Sequence, residues 1–217
     1  VGALEPARWE DTVTLLANGK VLAAGGRTFG QGGDVEYLDR AFLLEPGFSI
    51  DAGITGTWYD PNQPGHGLFL QVLPEGRFLA WWFAFNPEGT QQAWFGGVGT
   101  YSGNIATIPQ AVQTTGGSWI PNFNPFRVRN VPWGSLSFSF TDLDHGTVTF
   151  NSSSAYGSGS MNLTRLTRPA ALADATGTGG IDARYTGAWF DPNQSGHGLF
   201  VEVLPDKVTV LARIAER

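Results

Sequence analysis

Gly56-Thr57-Trp58-Tyr59-Asp60-Pro61-Asn62-Gln63-Pro64-Gly65-His66-Gly67-Leu68-Phe69 occurs twice in this chain. The second copy is Gly187-Ala188-Trp189-Phe190-Asp191-Pro192-Asn193-Gln194-Ser195-Gly196-His197-Gly198-Leu199-Phe200. Taken from Thr55 to Glu75 against Thr186 to Asp206, 15 of 21 positions are identical at one constant offset of 131 residues. A match of that length at one spacing is an internal repeat. Each copy carries a short aromatic strand, a turn built from Asp, Pro, Asn and Gly, and an apolar return strand. That order is the pattern of a β-hairpin.

Outward from the first copy, turn signals recur at short intervals. They divide the chain into eight predicted strands: 55–59, 66–73, 77–85, 91–101, 105–114, 135–141, 147–151 and 160–167. The sixth shows the periodicity best. Leu136, Phe138 and Phe140 alternate with Ser135, Ser137, Ser139 and Thr141, so one face is apolar and the other polar. Eight such strands predict an all-β, antiparallel meander that closes into a barrel or sandwich, because open edges invite aggregation. The Pro- and Asn-rich stretch 116–133 reads as a long loop. The chain divides into 1–48, a complete β-repeat domain over 49–168, a linker over 169–184, and a truncated second copy over 185–217. In that copy Val208–Arg213 replaces the aromatic strand Ala80-Trp81-Trp82-Phe83, which predicts an incomplete or loosely held end.

Composition supports this class. Only 15% of residues are charged, aromatics reach 13%, and glycines number 30 in 217 residues, which suits a turn-rich β protein. The formal charge of −6 without a basic stripe argues against nucleic acid as a partner. There is no cysteine, hence no disulfide framework and no thiolate metal site. No apolar run is long enough for a membrane-spanning helix. No leader peptide is visible, and the start at Val1 together with the end inside the second repeat reads as a piece of a longer protein.

Two resemblances can be stated. In the first 48 residues, Thr12-Val13-Thr14-Leu15-Leu16, the turn Asn18-Gly19-Lys20, Val21-Leu22 and Gly25-Gly26 resemble a kelch-type propeller repeat of galactose-oxidase-like proteins. The resemblance implies at most one blade, and no copper or radical residue has a counterpart here. The repeat signature, with Ala80-Trp81-Trp82-Phe83, Ala93-Trp94-Phe95-Gly96-Gly97, Gly157-Ser158-Gly159-Ser160 and Arg165-Leu166-Thr167, resembles an uncharacterised bacterial domain of exported or cell-surface proteins. That resemblance implies a regular β fold and export. It supplies no activity and no catalytic residue.

Candidate chemistry centres on the repeated loop: Trp58, Asp60, Asn62 and His66, with Trp189, Asp191, Asn193 and His197 in the second copy. Asp60 and Asn62 have the alternating oxygen spacing of a calcium loop, but no acid closes the set. Asp and Asn equally make side-chain turns to their own backbone, and the turn is the expected reading. One histidine per repeat is too few for a zinc site, so His66 is expected to face Asp60 across the hairpin, and no metal or other cofactor is expected. Trp81 and Trp82 fall on opposite faces of one strand. An exposed Trp81, with Trp119 or Trp133 from the long loop, would form a platform on which a glycan could stack. The alternative is that another repeat of the same protein covers that face. No nucleophile elbow, phosphate loop or dinucleotide fingerprint is present. The sequence therefore reads as a non-enzymatic, exported β-module for structure, adhesion or ligand binding. A carbohydrate-binding module and a hydrolase or metal-dependent enzyme centred on Asp60 and His66 stand as alternatives.

Overall fold

A computed structural model describes residues 8–16, 20–44, 47–118, 121–175, 180–194, 197–206 and 208–214. Trp119 and the Asn18-Gly19 turn lie outside them. The chain forms two compact units, 1–48 and 49–217. Among the described residues no helix is long and apolar enough to cross a membrane.

The first unit is a small antiparallel assembly. Strands β1 (Thr12–Leu15), β2 (Val21–Ala24) and β5 (Ala41–Leu44) form one sheet, and β3 (Arg27–Phe29) pairs with β4 (Val35–Tyr37). Trp9 packs on Phe29 at 4.7 Å, and the Arg8 guanidinium lies over the Phe42 ring. Val13, Leu15 and Leu43 remain exposed.

The second unit contains the predicted eight-stranded antiparallel fold, and it closes as a barrel. Its strands are β6 (Gly56–Tyr59), β7 (Gly67–Leu73), β8 (Arg77–Phe85), β9 (Gln92–Ser102), β10 (Ile105–Thr115), β11 (Arg129–Phe140), β12 (His145–Ser152) and β13 (Ser158–Arg165), and β13 pairs back onto β6. The sixth strand differs from expectation at its start. β11 already runs from Arg129, so residues 129–133 are sheet rather than loop. Pro132 is tolerated there because the β10–β11 ladder is irregular at this level, with register shifts on either side of Ala111.

The period of two fills the interior. Phe78, Ala80, Trp82 and Ala84 of β8 alternate inward, and Leu68, Leu70, Phe95, Leu136, Phe138, Phe140, Val148, Met161 and Leu163 join them. Trp58 is fully buried at the end of the barrel opposite the repeated loop. Its ring meets Phe140 edge-on at 5.3 Å, and its indole N–H donates to the Ile54 carbonyl at 3.0 Å. Ile54 ends a short 3-10 turn, Ala52–Ile54, capped by the Asp51 side chain. Arg165 completes this plug. Its guanidinium lies 4.6 Å from the Trp58 ring and donates to the carbonyls of Gly53, Leu143, Thr55 and Thr167. Burial pulls its pKa down to about 10, so it remains a cation at neutral pH.

The second copy repeats the hairpin as expected, with β14 (Gly187–Phe190) and β15 (Gly198–Val203). The local contacts recur as well. Trp189 donates to the Tyr185 carbonyl as Trp58 does to Ile54, and Thr186 accepts from Val203 as Thr55 does from Val72. As expected, the second copy is incomplete, with three strands among the described residues against the eight of the barrel, and its last segment is a strand. β16 (Thr209–Ile214) pairs with β15 over six residue pairs. Backbone ladder bonds need no aromatic side chains, so replacing the Trp-Trp-Phe run leaves the strand intact.

This three-stranded sheet packs on the outer wall of the barrel. Phe200 stacks on Phe69 with ring centroids 3.9 Å apart and meets Phe83 edge-on at 6.0 Å. Glu202, almost completely buried, accepts from the Thr57 hydroxyl at 2.6 Å and from the Thr167 hydroxyl.

Truncating Trp58 empties the plugged end. Trp58→Ala is expected to cost on the order of 3–5 kcal/mol, read as a lower urea midpoint in equilibrium unfolding. A midpoint within error of wild type would refute this account of the core.

Candidate functional site: the mouth of the barrel

Strand direction places four connections at the end opposite Trp58, with described residues 60–66, 86–91, 116–118 with 121–128, and 153–157. The repeated loop is the first of these, and its chemistry is local. Asp60 is 5% exposed, and its carboxylate accepts from the Asn62 backbone N–H at 2.9 Å, the Asn62 amide at 3.2 Å and the Gln63 amide at 2.9 Å. The Asn62 N–H, followed by the Gln63 amide, holds the Asp60 carboxyl below its usual range. Asp191 repeats the arrangement with Asn193 and Gln194, and its carboxyl is lowered in the same way. This is the side-chain turn expected for Asp-Pro-Asn, with the carboxylate oxygens committed to their own loop. Gly65 is required at the end of the turn. Its φ is +93°, and a Cβ there would lie 2.7 Å from the Phe85 ring.

His66 corrects the expectation. It makes no hydrogen bond to Asp60. Its ring sits edge-on to Trp82 at 6.1 Å and to Phe85 at 5.9 Å, and its Nδ1 is buried without a partner. The reason is direction. Asp60 is turned back into its own loop by Asn62 and Gln63, while His66 leads into β7 and presents its ring to the aromatic wall of the mouth.

Behind His66 lies a cavity of about 410 Å³ lined by Trp82, Phe85, Phe95, Trp133, Phe150 and Tyr156, among others. Phe95 and Trp133 stack at 3.9 Å with a 9° tilt, and Tyr156 stands edge-on to both. Burial raises the pKa of the Tyr156 hydroxyl, while a hydrogen bond from Gln113 works against that rise. Trp82 and Trp133 are 4% and 2% exposed, yet neither indole N–H has a partner. Trp82, Trp133 and His66 all line this cavity, and each carries a buried ring nitrogen without a partner. Buried polar groups are ordinarily satisfied, and an orphaned donor costs about 1–3 kcal/mol. An indole N–H can only donate, so the missing partners are acceptors.

The tryptophans expected to make an exposed platform are distributed otherwise. Trp133 is inside the barrel, because β11 begins four residues before it and the irregularity at Gly134 (φ +150°) turns its side chain inward, out of phase with Leu136, Phe138 and Phe140. Trp81 points outward and is half-buried, and the second copy covers its face. It lines a cleft of about 320 Å³ with Leu79, Trp189, Phe190, His197 and Phe200. His197 lies against Phe123 at 5.0 Å. Among the described residues, no group of three acidic, histidine or cysteine side chains is placed to hold a metal ion. His145, in the turn at the far end, rests on Asp142 as a local Asx turn.

Trp82 and Phe95 were missed as site residues. The signal was present in the inward parity of Trp82 together with its single polar atom, which an apolar barrel interior does not satisfy.

No protein-family model, curated protein or solved structure matches the chain. Fold and site together define a class: a closed antiparallel barrel with an aromatic-lined cavity at its mouth.

The pKa direction at Asp60 carries a sign. A carboxyl lowered from 3.8 contributes stability that is present above that value and is lost as the pH falls through its depressed folded-state value. Asp60→Ala should therefore lower the melting temperature at pH 7, and the gap to wild type should narrow on acidification below pH 3.8. Thermal melts across that range check this, and a gap independent of pH would contradict it.

Proposed function

We propose that this chain is a non-enzymatic binding module whose barrel takes a small molecule in its mouth. The observation that carries the reading is that Trp82, Trp133 and His66, whose indole N–H groups and Nδ1 are buried without partners, all line one cavity. Small-molecule sites are concave, mostly apolar and hold a few well-placed polar groups, and the cavity volume lies in the usual range for them. The ligand class follows from the lining. Two obligate donors call for carbonyl or hydroxyl oxygens, and the parallel rings of Phe95 and Trp133, with Phe150 beside them, suit a flat or ring-shaped body. The end of a glycan belongs to this class, since sugar hydroxyls accept from indoles and sugar CH faces pack on aromatic rings.

Catalysis at Asp60 and His66 has less support. Asp60 is spent on its own loop, and His66 has no acid or base within hydrogen-bond reach. Activity at the exterior of a bacterial cell rests on the resemblance of the repeat to exported domains. The kelch-type reading of residues 1–48 is supported by the β1–β2–β5 sheet, whose exposed Val13, Leu15 and Leu43 are what one blade without neighbours would present.

A thermal-shift panel of neutral sugars and ring compounds bearing carbonyl groups tests this reading, with hits titrated by tryptophan fluorescence. Trp133→Phe keeps a ring but removes the donor, so it should weaken binding about tenfold, the equivalent of one hydrogen bond of ~1.4 kcal/mol, without loss of fold. A panel without a single saturable hit, or a hit bound equally well by Trp133→Phe, would sink the proposal.

A further inference from the structure

The contact between the two repeat copies has a symmetry that the sequence offset reveals. Phe69 and Phe200 are equivalent positions, 131 residues apart, and they stack on each other. Thr57 is equivalent to Ala188, and Gln71 to Glu202. Glu202 accepts from the Thr57 hydroxyl, and Gln71 Oε1 accepts from the Ala188 backbone N–H at 3.3 Å. Each copy therefore offers position 71 or its equivalent to position 57 or its equivalent on the other copy, and position 69 meets its own counterpart between them. Contacts of i with j and of j with i are the signature of an isologous, two-fold interface.

We infer that the outer face of the β6–β7 hairpin is a self-pairing surface whose natural occupant is the same face of another copy of the module. Within one chain the second copy fills it. When that copy is displaced, the barrel of a second chain takes its place.

The residues favour this occupant. In the cis pair only one half of the clamp is complete. Glu202 reaches two hydroxyls, Thr57 and Thr167, whereas Gln71 faces an alanine and reaches only its backbone. Two barrels meeting through this face would place a Gln71 opposite a Thr57 and a Thr167 on both sides. The Gln71 amide has both an acceptor and a donor for those hydroxyls. Phe69 would stack on Phe69 of the other chain as it now stacks on Phe200. A two-fold contact closes on itself, so the product is a dimer and not a filament.

The absence of cysteine from the chain makes the test direct. In the full chain, Phe200→Asp with Glu202→Arg should displace the second copy and convert the monomer into a dimer in sedimentation velocity at micromolar concentrations. Adding Phe69→Asp should return it to monomer. A single Phe69→Cys in the displaced background should form a disulfide-linked dimer under mild oxidation much faster than Val98→Cys, an exposed site on β9. In the otherwise unaltered chain Phe69→Cys should also cross-link faster than Val98→Cys, through transient opening, which keeps the test valid if displacement unfolds the chain. A displaced chain that folds and stays monomeric, a dimer that survives Phe69→Asp, or equal cross-linking rates at the two cysteines would each overturn the inference.

Discussion

The whole barrel depends on a seam of two residue pairs. β13 meets β6 only at Thr164–Tyr59 and Arg165–Trp58, whereas β8 and β9 share nine pairs. So short a ladder is a weak place to close a sheet, and side chains make up the difference. Arg165 sits at the seam with its guanidinium on the Trp58 ring and its donors on carbonyls from the 3-10 turn, the 141–144 turn and the chain beyond β13. An arginine fits here where a lysine would not, because its planar fork both stacks on the indole and reaches several acceptors at once. The chain after β13 adds to the closure. The Leu166 N–H donates to the Thr57 carbonyl, and the Thr57 N–H donates to the Thr167 hydroxyl. Plugging one end in this way leaves the opposite end as the place for an open cavity.

That division of the barrel explains why similar aromatic residues do different things. Trp58 and Trp82 are both buried and inward-facing. Trp58 finds the Ile54 carbonyl because the 3-10 turn folds back beneath it. Trp82 lies among Phe95, Phe150 and His66, where no backbone carbonyl is within reach of its indole. The far end is saturated with hydrogen bonds and is built for stability, while the mouth holds donors without acceptors.

Much of the fold was legible in residue periodicity. The alternation Leu136, Phe138, Phe140 against serines gave both the strand and its buried face, and all three are fully buried. The identity of the two copies gave the second hairpin and the indole-to-carbonyl bond of Trp189, but not its burial, since Trp189 is 48% exposed where Trp58 is fully buried. The start of β11 was not legible, because Asn130 and Pro132 carry the local signature of a loop and only the irregular β10–β11 pairing admits them to a strand. That misreading carried Trp133 to an imagined surface. His66 was misread for a different reason. Proximity in sequence to Asp60 suggested a pair, but a turn that satisfies its own carboxylate leaves the histidine to the other wall. Trp81 and Trp82 on opposite faces of one strand left open what lies on the outer face, where Phe69 and Phe83 meet Phe200 and Trp81 lines a cleft with Trp189 and Phe190.

Glu202 touches the barrel at Thr57 and Thr167, one on each side of the closing seam. The second copy is thus more than a neighbour resting on a wall, since its carboxylate spans the joint like a latch. Docking of the repeat therefore adds to the closure of the barrel, while Arg165 and the Leu166–Thr57 and Thr57–Thr167 bonds hold the seam when β15 is lifted away. The two copies of the repeat are thereby coupled without sharing a strand.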